Sequence, residues 1–418
     1  MKLVIFEDNR FDNFLPLTWL RGVFELKCGA TTLADKIVRL VGQPVDGLLV
    51  RDYLTSTLSR RWEGVAINDL SGCAGEAVLF VNARICGSQW QIPARPGAQW
   101  QGEQLAAWRT TADVSGICDY AGLADAARQA EKSAFTGKWF EYIWDVMLSN
   151  PEELVTDFDL AGKRGIEGEF HESAVVHGPQ DRLYIAPGAE IHPFVCIDTR
   201  AGPVTIEADC EVHPYTRIEG PCYVGPRSML LRANLREGCS IGPMCRVGGE
   251  IEESIIHGYS NKYHDGFLGH AYVGEWVNLG ALTTNSDLKN DYGGVSVMMN
   301  GKMLDTGSTK VGSFIGDHVK TSIGTLLNTG SVVGTMAILL ANGAPLPKYI
   351  PPFTWFLNSM IGKGFGLTPL IKTTRIAMSR RKVDMTAEDE QLLRHVYTLT
   401  AEDRGIQIRR ARKAMATR

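Results

Sequence analysis

Aliphatic residues recur at every sixth position through much of the second half of the chain. The period begins near residue 183 and resumes after several insertions. A period of six fits neither an α-helix nor an alternating strand. It is typical of a hexapeptide solenoid, in which each six-residue unit makes one flat wall of a coil. The periodic positions are Ile185, Ile191, Ile197, Ile206, Val212, Ile218, Val224, Leu230, Ile241, Val247, Phe267, Val273, Leu279, Ile315, Thr321, Leu327, Val333 and Leu339.

The first part of the chain has a different pattern, in which short apolar runs alternate with helical ones. The runs KLVIFE, GLLVR, VAIND and AVLFVN predict buried strands. TTLADKIVRLV and YAGLADAARQAEKSA predict helices, and an aromatic-rich helix from Gly137 should end at Asn150-Pro151. Strands that alternate with helices favour an α/β domain with a mostly parallel sheet.

Two polar segments interrupt the hexads, at residues 253–266 and 283–310, and a basic tail follows them. The longer interruption is Gly-rich, which predicts a substrate loop on a rigid scaffold. After about residue 345 the pattern predicts helices that cap the coil. We therefore expect an α/β domain with a linker helix at 1–165, a coil at 170–345 and a helical extension at 346–418.

Composition argues against several classes of function. The 418 residues are 44% hydrophobic and 22% charged, with a net charge of −4 and a pI near 6.2. This charge gives no electrostatic basis for nucleic-acid binding, and no apolar run is long enough to span a bilayer. The N-terminus has no signal-peptide pattern, and the nine cysteines form no C-x-x-C pair. We expect a cytoplasmic protein with reduced thiols and no metal site in the coil.

Two histidines six positions apart, His264 and His270, stand in the stretch HDGFLGHAYVGEWVNLG. They share one phase of the hexad, and successive hexads lie on different walls of a three-walled coil. The two side chains should therefore not form one catalytic or metal-binding pair. Spacing alone does not decide which of them carries chemistry.

Residues 260–290, SNKYHDGFLGHAYVGEWVNLGALTTNSDLKN, and the segments PLTWLRGVFELKCGATTLADK and LLNTGSVVG resemble GlmU-type bifunctional enzymes, especially a divergent branch of sugar nucleotidyltransferases. The resemblance implies a nucleotidyltransferase-like, Rossmann-like α/β domain, a left-handed parallel β-helix and a helical tail. It implies acetylation of an amino sugar phosphate, such as glucosamine-1-phosphate, by acetyl-CoA. Nucleotidyl transfer from UTP with Mg²⁺ would then give a UDP-sugar such as UDP-N-acetylglucosamine. The resemblance also implies a homotrimer with active sites between neighbouring coils.

The family pattern H-x-x-[YF]-[LV]-G, followed by V-N-[IL]-G-A, assigns roles within this stretch. Aligned on VNLGA, it implies that His264 is the catalytic base and that Asn278 lies near the acetyl group. The backbone of Ala281 would meet the CoA arm, and His270 is expected to be an exposed or interface residue. Two substrate-binding positions depart from the usual family residues: Phe267, where a tyrosine often sits, and Asp287, where an asparagine is usual.

The implied reaction needs a base and groups that bind anions. An amine must lose a proton as it attacks a thioester carbonyl, and histidine is suited to accept that proton near neutral pH. The tetrahedral intermediate needs N–H donors, which backbone amides or Asn278 could supply. The phosphates need cations, and the candidates are Arg246, Lys262 and Lys302 for the sugar phosphate and Lys289 and Lys310 for CoA.

The N-terminal part lacks the Gly-rich G-x-G-T-R-M loop that nucleotidyltransferases of this kind carry after the first strand. Arg21 and Lys27 stand at roughly the right separation to replace its arginine and the following lysine. AVLFVNAR offers Asn82 where the family has a metal-binding aspartate, so Asn82 is the candidate ligand for Mg²⁺. An active transferase and a degenerate domain that only packs or binds a nucleotide sugar both stay open.

Two alternatives to a bifunctional transferase also stay open. One is a sugar-1-phosphate nucleotidyltransferase whose coil is only structural or regulatory. The other is a non-catalytic trimer that binds nucleotide sugars. The pattern from His264 to Asn278 favours acetyl transfer, because a structural coil needs no histidine at that position.

Overall fold

The N-terminal part forms a seven-stranded sheet in a computed structural model that describes residues 1–87, 90–341 and 343–416. All four apolar runs supply strands to it, as predicted. The first strand belongs to a group of four parallel strands, in which it pairs with Val78–Asn82 on one side and Gly47–Leu49 on the other. Gln104–Thr110 pairs antiparallel with both of its neighbours. In spatial order the strands are Lys132–Ala134, Gly97–Gln101, Gln104–Thr110, Val78–Asn82, Lys2–Phe6, Gly47–Leu49 and Ala66–Ile67.

Five helices accompany this sheet: α1 Leu33–Val41, α2 Thr55–Arg61, α3 Tyr120–Ala127, α4 Ile143–Leu148 and α5 Asn150–Ala161. Helix α1 starts at a reciprocal cap between Thr32 and Asp35 and ends at Gly42, whose φ of 75° is costly for other residues. The aromatic-rich helix starts at Ile143 instead of Gly137, because Lys138–Trp139 forms a strand paired with Ile85–Cys86. It ends before Asn150-Pro151, as expected. A new helix starts there, because proline is tolerated in a first helical turn.

The repeats form a stack of short parallel strands with three walls, as in a parallel β-helix. The first wall is Gly165–Ile166, Leu183–Ile185, Val204–Ile206, Cys222–Val224, Cys239–Ile241, Ile255–Gly258, Tyr272–Glu275, Ser313–Ile315, Ser331–Val333 and Tyr349–Ile350. The second comprises Glu169–Phe170, Glu190–Ile191, Glu211–Val212, Asn261–Lys262, Lys320–Thr321, Ile338–Leu339 and Trp355–Leu357. The third comprises Val175–His177, Cys196–Asp198, Arg217–Glu219, Phe267–Gly269, Thr284–Asn285 and Leu326–Leu327. Met229–Leu235 and Arg246–Glu252 each run from the second wall into the third.

The hexad residues are buried inside the coil, with one exception that corrects the predicted phase. Phe267 is only partly buried, and Leu268 points inward in register with Ile251 instead. Arg246–Glu252 is one continuous strand that bends from the second wall into the third. Its inward residues Val247 and Ile251 are therefore four residues apart rather than six. His264 and His270 each follow an inward residue, Lys262 and Leu268, by two positions, yet His264 is exposed and His270 is buried.

The first wall of the coil packs its outer face against the N-terminal domain. Tyr272, Phe314 and Val332 belong to the same hydrophobic cluster as the N-terminal core. The Tyr272 hydroxyl accepts a hydrogen bond from the Lys27 backbone N–H at 2.8 Å and donates one to the Lys27 carbonyl at 3.1 Å. The coil and the N-terminal domain therefore share one continuous core.

Residues 283–310 form a packed hairpin instead of an open loop. Ser296–Met299 pairs antiparallel with Lys302–Asp305. Val295, Val297 and Met299 are buried in the core shared with the N-terminal domain, which the Gly-rich and polar composition of the segment did not reveal.

The tail contains three helices: α6 Leu367–Ser379, α7 Ala387–Leu399 and α8 Ala401–Ala416. Before them, Trp355–Leu357 pairs antiparallel with Met360–Gly362. Ile408 of α8 and Ile361 join the hydrophobic interior of the coil, so α8 covers its open end as expected. Arg60 of α2 lies 2.8 Å from Asp389 of α7, which ties the tail to the N-terminal domain.

Candidate active site

A cavity of about 670 Å³ opens along the second wall and brings His264, Asn278, Ala281 and Arg246 to one place. Register explains the grouping, because Arg246 pairs with Asn261, Asn261 with Asn278, and Asn278 with Lys320 on successive turns of the coil. Helix α6 closes the other side with Thr373, Ile376 and Ala377, and Arg380 and Arg381 line it just after the helix ends. Four of the predicted site residues are therefore assembled by the coil.

The His264 side chain is exposed, and its ring lies 4.8 Å from that of Tyr263. Its imidazole has no hydrogen-bond partner among the residues that the structure describes. Its carbonyl accepts a hydrogen bond of 2.6 Å from Nζ of Lys262, which also donates to the Gly248 carbonyl at 3.1 Å. The His264 backbone is thus fixed while its imidazole stays available to a ligand.

Lys262 was predicted to bind the sugar phosphate, but its side chain lies inside the coil. It pairs with Val247, a core position, and only 2% of the residue is exposed. Burial lowers the pKa of Lys262 to about 8. Its contacts hold the turn that presents His264, which is a positioning role.

A second cavity, of about 490 Å³, meets the first one at His264. Tyr263, His264 and Ala281 border both cavities. The second cavity continues past Arg232 and Leu282 to three residues of an earlier turn: His213, Pro214 and Tyr215. Two ligands can therefore approach the same imidazole from opposite sides.

The first cavity is strongly cationic. Its lining contains Arg246, Lys320, Arg380 and Arg381 and no carboxylate among the described residues. Burial lowers the pKa of Lys320 to about 8. Burial, together with the charges of Arg246 and Arg380, lowers the pKa of Arg381. Unneutralised cations that disfavour one another's charge form a site that an anionic ligand would stabilise.

The Asn278 side chain is oriented by a short chain of hydrogen bonds. Arg381 Nη2 donates to Asn261 Oδ1 at 2.7 Å, and Asn261 Nδ2 donates to Asn278 Oδ1 at 3.1 Å. The Asn278 Nδ2 group then faces the cavity as a donor. Sequence reasoning missed Lys320 and Arg381. Lys320 could have been found, because it precedes hexad residue Thr321 as Asn278 precedes Leu279.

Five other predicted site residues lie outside both cavities. The Phe267 backbone N–H donates a hydrogen bond to the Thr284 hydroxyl on the third wall. Lys302 is exposed on the hairpin, and Lys289 contacts Asp291 at 3.3 Å. The Lys310 ammonium lies 3.0 Å from Glu252. Asp287 is buried against His270, with the His270 Nδ1–Asp287 Oδ2 distance at 2.8 Å.

His270 is buried, so the expectation of an exposed or interface residue is wrong. Only 2% of the residue is exposed, and its Nε2 lies 3.3 Å from Glu253 on the side opposite Asp287. Burial disfavours the imidazolium, but the hydrogen bonds to Asp287 and Glu253 outweigh it and raise the pKa of His270 to about 9. The imidazolium therefore ties the start of the 283–310 segment to the coil.

We expect this buried triad to make stability depend on pH. The pKa of His270 is raised from 6.5 to about 9 on folding, so its contribution of about 3 kcal/mol is complete below pH 6.5 and is lost as pH rises through 9. Urea unfolding between pH 6 and 10 should show a fall in the stability of the wild type that His270→Asn lacks. Parallel pH profiles for the two proteins would contradict the assignment.

In the N-terminal domain, polar side chains gather where the strands Lys2–Phe6 and Val78–Asn82 end. Asn82 Nδ2 donates to Asp8 at 2.9 Å, and its Oδ1 accepts from the Arg84 backbone at 3.0 Å. Asp8 also receives Arg84 Nη2 at 2.6 Å, and Arg84 Nη1 contacts Glu141 at 2.8 Å. Both ends of the Asn82 amide and the nearest carboxylates are engaged. The residues as they stand do not fit a Mg²⁺ ion at Asn82.

The other two predicted nucleotide-binding residues lie at the contact with the coil. Arg21 is buried, at 2.8 Å from Asp317 and 3.2 Å from Glu275. Lys27 is also buried; its Nζ donates to the Ala30 carbonyl at 2.9 Å, and burial lowers its pKa. Arg21, Lys27 and Asn82 thus share no partner, and two of them serve domain packing.

No helix in the described part of the chain has the length and apolar character needed to cross a membrane. Known proteins match parts of this chain. Residues 3–165 match a family described as sugar nucleotidyl transferase. A bifunctional sugar-1-phosphate nucleotidylyltransferase/acetyltransferase of Sulfurisphaera tokodaii is 35% identical over 148 residues, which cover 32% of this chain and 35% of the relative.

The bifunctional protein GlmU of Nitratidesulfovibrio vulgaris is 28% identical over 268 residues, which cover 57% of this chain and 54% of the relative. A solved Arabidopsis UDP-N-acetylglucosamine acyltransferase matches 58% of this chain and 94% of its own at 13% identity, with a TM-score of 0.25. The chain spans about a third to about half of the length of these curated relatives. Over those parts, it is similar to proteins named as bifunctional, one of them for nucleotidylyl and acetyl transfer.

Proposed function

We propose that the coil transfers an acetyl group from acetyl-CoA to the amine of an amino sugar phosphate. The meeting of a cationic cavity and a second cavity at the exposed His264 imidazole carries the proposal. Two substrates must meet at one base in this reaction, and both of them carry phosphates. The test is release of the CoA thiol from acetyl-CoA, detected with a disulfide reagent, in the presence of glucosamine-1-phosphate or galactosamine-1-phosphate.

The donor fits the first cavity. Arg246, Lys320, Arg380 and Arg381 would bind the phosphates of CoA, and the Ala281 backbone would meet its pantetheine arm. The thioester carbonyl would then lie near Asn278, whose Nδ2 would donate to the developing oxyanion. The product thiol leaves along the same cavity.

The acceptor fits the second cavity, where Arg232 offers a cation for a sugar phosphate. His264 would accept a proton from the amine as nitrogen attacks the thioester carbon. The C–N bond forms first, the C–S bond breaks as the tetrahedral intermediate collapses, and the proton passes to the departing thiolate. Lys262 acts through the backbone of His264 and does not touch either substrate.

We also propose a left-handed coil and a homotrimer. Large apolar side chains are exposed at corners of the coil: Phe194 at 58% and Tyr215 at 71% beside the second cavity, and Ile323 at 71% beside the first. Phe194 and Tyr215 stack at 5.7 Å. An exposed aromatic corner beside a base that lacks an orienting partner supports a neighbouring subunit there. Light scattering would give three times the mass of one chain.

For the N-terminal domain we propose nucleotidyl transfer to a sugar 1-phosphate, with UTP and Mg²⁺ as co-substrate and cofactor. The match of residues 3–165 supports it. Entry of a metal at Asn82 would require the contact between Asp8 and Arg84 to open. Mg²⁺-dependent release of pyrophosphate from UTP tests the proposal, and nucleotide-sugar binding without turnover would favour a degenerate domain. Residues 1–165, 170–345 and 346–418 would then be the nucleotidyl, acetyl and capping units of a cytoplasmic enzyme.

Replacement of Arg380 by glutamine should weaken use of acetyl-CoA. Arg380 is exposed at the cavity edge, so removal of its charge should raise the KM for acetyl-CoA about tenfold, or about 1.4 kcal/mol, with little change in kcat. Steady-state kinetics with varied acetyl-CoA measure it. Lys302→Gln, on the hairpin, is the matched control and should leave KM unchanged. An equal effect of both substitutions would contradict the placement of CoA.

A further inference from the structure

A short motif, Glu-x-His, recurs three times at intervals of 21 residues near the start of the coil. The copies are Glu169-Phe170-His171, Glu190-Ile191-His192 and Glu211-Val212-His213. Strand register stacks them, because Glu169 pairs with Glu190 and Glu190 pairs with Glu211. The middle residue of each copy points inward, so the glutamates and histidines form two adjacent columns on the outer face of the second wall.

Three side chains of these columns converge. One ligand atom from each of His192, Glu211 and His213 lies within 4.8 Å of the other two. Glu211 Oε1 is 3.1 Å from His213 Nε2 and 3.7 Å from His192 Nε2. Ligand atoms bound tetrahedrally to zinc are about 3.3 Å apart, since the bonds are about 2.0–2.1 Å long. The observed separations match this spacing.

These ligand atoms do not satisfy one another's hydrogen-bonding capacity. His213 Nε2 is shielded from solvent and makes no aligned hydrogen bond with any described residue, although Glu211 is so near. No lysine or arginine of the described chain forms an ion pair with Glu211 or Glu190. His171 differs, because its Nδ1 already accepts the backbone N–H of Ser173. Two imidazole nitrogens and a carboxylate oxygen that face the same gap are suited to binding a cation.

A second cluster, Glu252, Glu253 and His270, has similar spacing but a different environment. Lys310 and Arg236 contact Glu252 at 3.0 Å and 2.6 Å, so its charge is already compensated. Both ring nitrogens of His270 contact carboxylates. The ligand atoms of this second cluster are already occupied by protein contacts, so the first cluster is the candidate metal site.

We propose that His192, Glu211 and His213 bind a divalent transition-metal ion, with water at the remaining position. Imidazole nitrogen with carboxylate oxygen suits zinc and its neighbours in the first transition row. The backbone N–H groups of His192 and His213 donate to Val212 and Leu230, so the coil holds both ligands before the ion arrives. The ion would clamp two successive turns of the coil beside the second cavity, which His213 also borders. A sequence search for closely spaced metal ligands misses His192 and His213, because they are 21 residues apart.

Isothermal titration of the chelator-treated, full-length chain without a polyhistidine tag, using Co²⁺ and Zn²⁺, tests the site. We expect one ion per chain and the visible absorption of tetrahedral Co²⁺. His192→Ala and His213→Ala should each weaken binding by at least the roughly 10- to 100-fold that loss of an outer partner costs a metal site. Glu211→Gln keeps the shape of the side chain and should weaken binding as well.

His177→Ala is the matched control, because His177 is an exposed coil histidine 4.0 Å from Asp198 with no second imidazole beside it. It should bind Co²⁺ like the wild type. Absence of Co²⁺ and Zn²⁺ binding by the wild type would overturn the proposal. Equal affinity in wild type, His192→Ala and Glu211→Gln, with unchanged circular dichroism, would also overturn it.

Discussion

Replacement of His264 by alanine is expected to lower kcat for acetyl transfer by about 10²- to 10⁴-fold, which is the usual contribution of a general base. The amine cannot attack while it keeps the proton that His264 would accept. The imidazole borders both cavities, whereas His213 and Asp265, the other potential bases of the second cavity, do not border the first. KM for acetyl-CoA should change little, because the cations that bind its phosphates remain.

Stopped or continuous detection of the CoA thiol measures this effect, with pH varied between 6 and 9. His264→Gln should behave like the alanine variant, since an amide can donate and accept a hydrogen bond but does not take up a proton in this range. His395→Ala is the control, because His395 is exposed on α7 and stacks on Tyr53 at 5.1 Å. If the wild type is active and His264→Ala keeps full activity under the same conditions, acetyl transfer at this site is excluded.

Replacement of Arg21 by methionine is expected to lower the free energy of unfolding by about 3–5 kcal/mol. The side chains of Arg21 and Asp317 are 3% and 1% exposed, and the guanidinium also lies 3.2 Å from Glu275. Methionine fills a similar volume but leaves the two carboxylates without their cation. Most of the loss comes from this uncompensated charge rather than from the attraction removed.

Thermal and urea unfolding measure the loss. Arg60→Met is the matched control, because it also removes an arginine that pairs with another part of the chain. The side chains of Arg60 and Asp389 are 46% and 22% exposed, so the loss should be at most about 1 kcal/mol. The double variant Arg21→Met/Asp317→Asn should recover part of the stability by removing one buried charge. Equal losses in Arg21→Met and Arg60→Met would refute a buried role for Arg21.

The interior of the coil could be predicted from the sequence far better than its outer contacts. Hexad residues such as Ile185 and Val212 identify the core because every turn repeats the same burial. The predicted phase slips at Phe267, because the inward residues Lys262, Leu268 and Val273 stand six and then five positions apart. A period does not contain this information; it depends on how the backbone bends.

The candidate site was predicted in part for a related reason. His264 and Asn278 lie within one turn of the coil, so a local pattern finds them. Lys320 and Arg381 reach the same cavity from 42 and 103 residues beyond Asn278, after the hairpin and on the tail. The burial of His270 depends on Asp287 and Glu253, which stand on other turns and are not marked by any motif.

The position of α8 over the end of the coil has a consequence for synthesis. A ribosome releases the coil from its first turn onward, so each new turn can pair with a finished one. The last turn, however, presents unpaired strand edges and an open apolar end until Ile408 has been made. During that interval, the growing chain offers a template for another coil to stack on, and chaperones or prompt closure by α8 would protect it from aggregation.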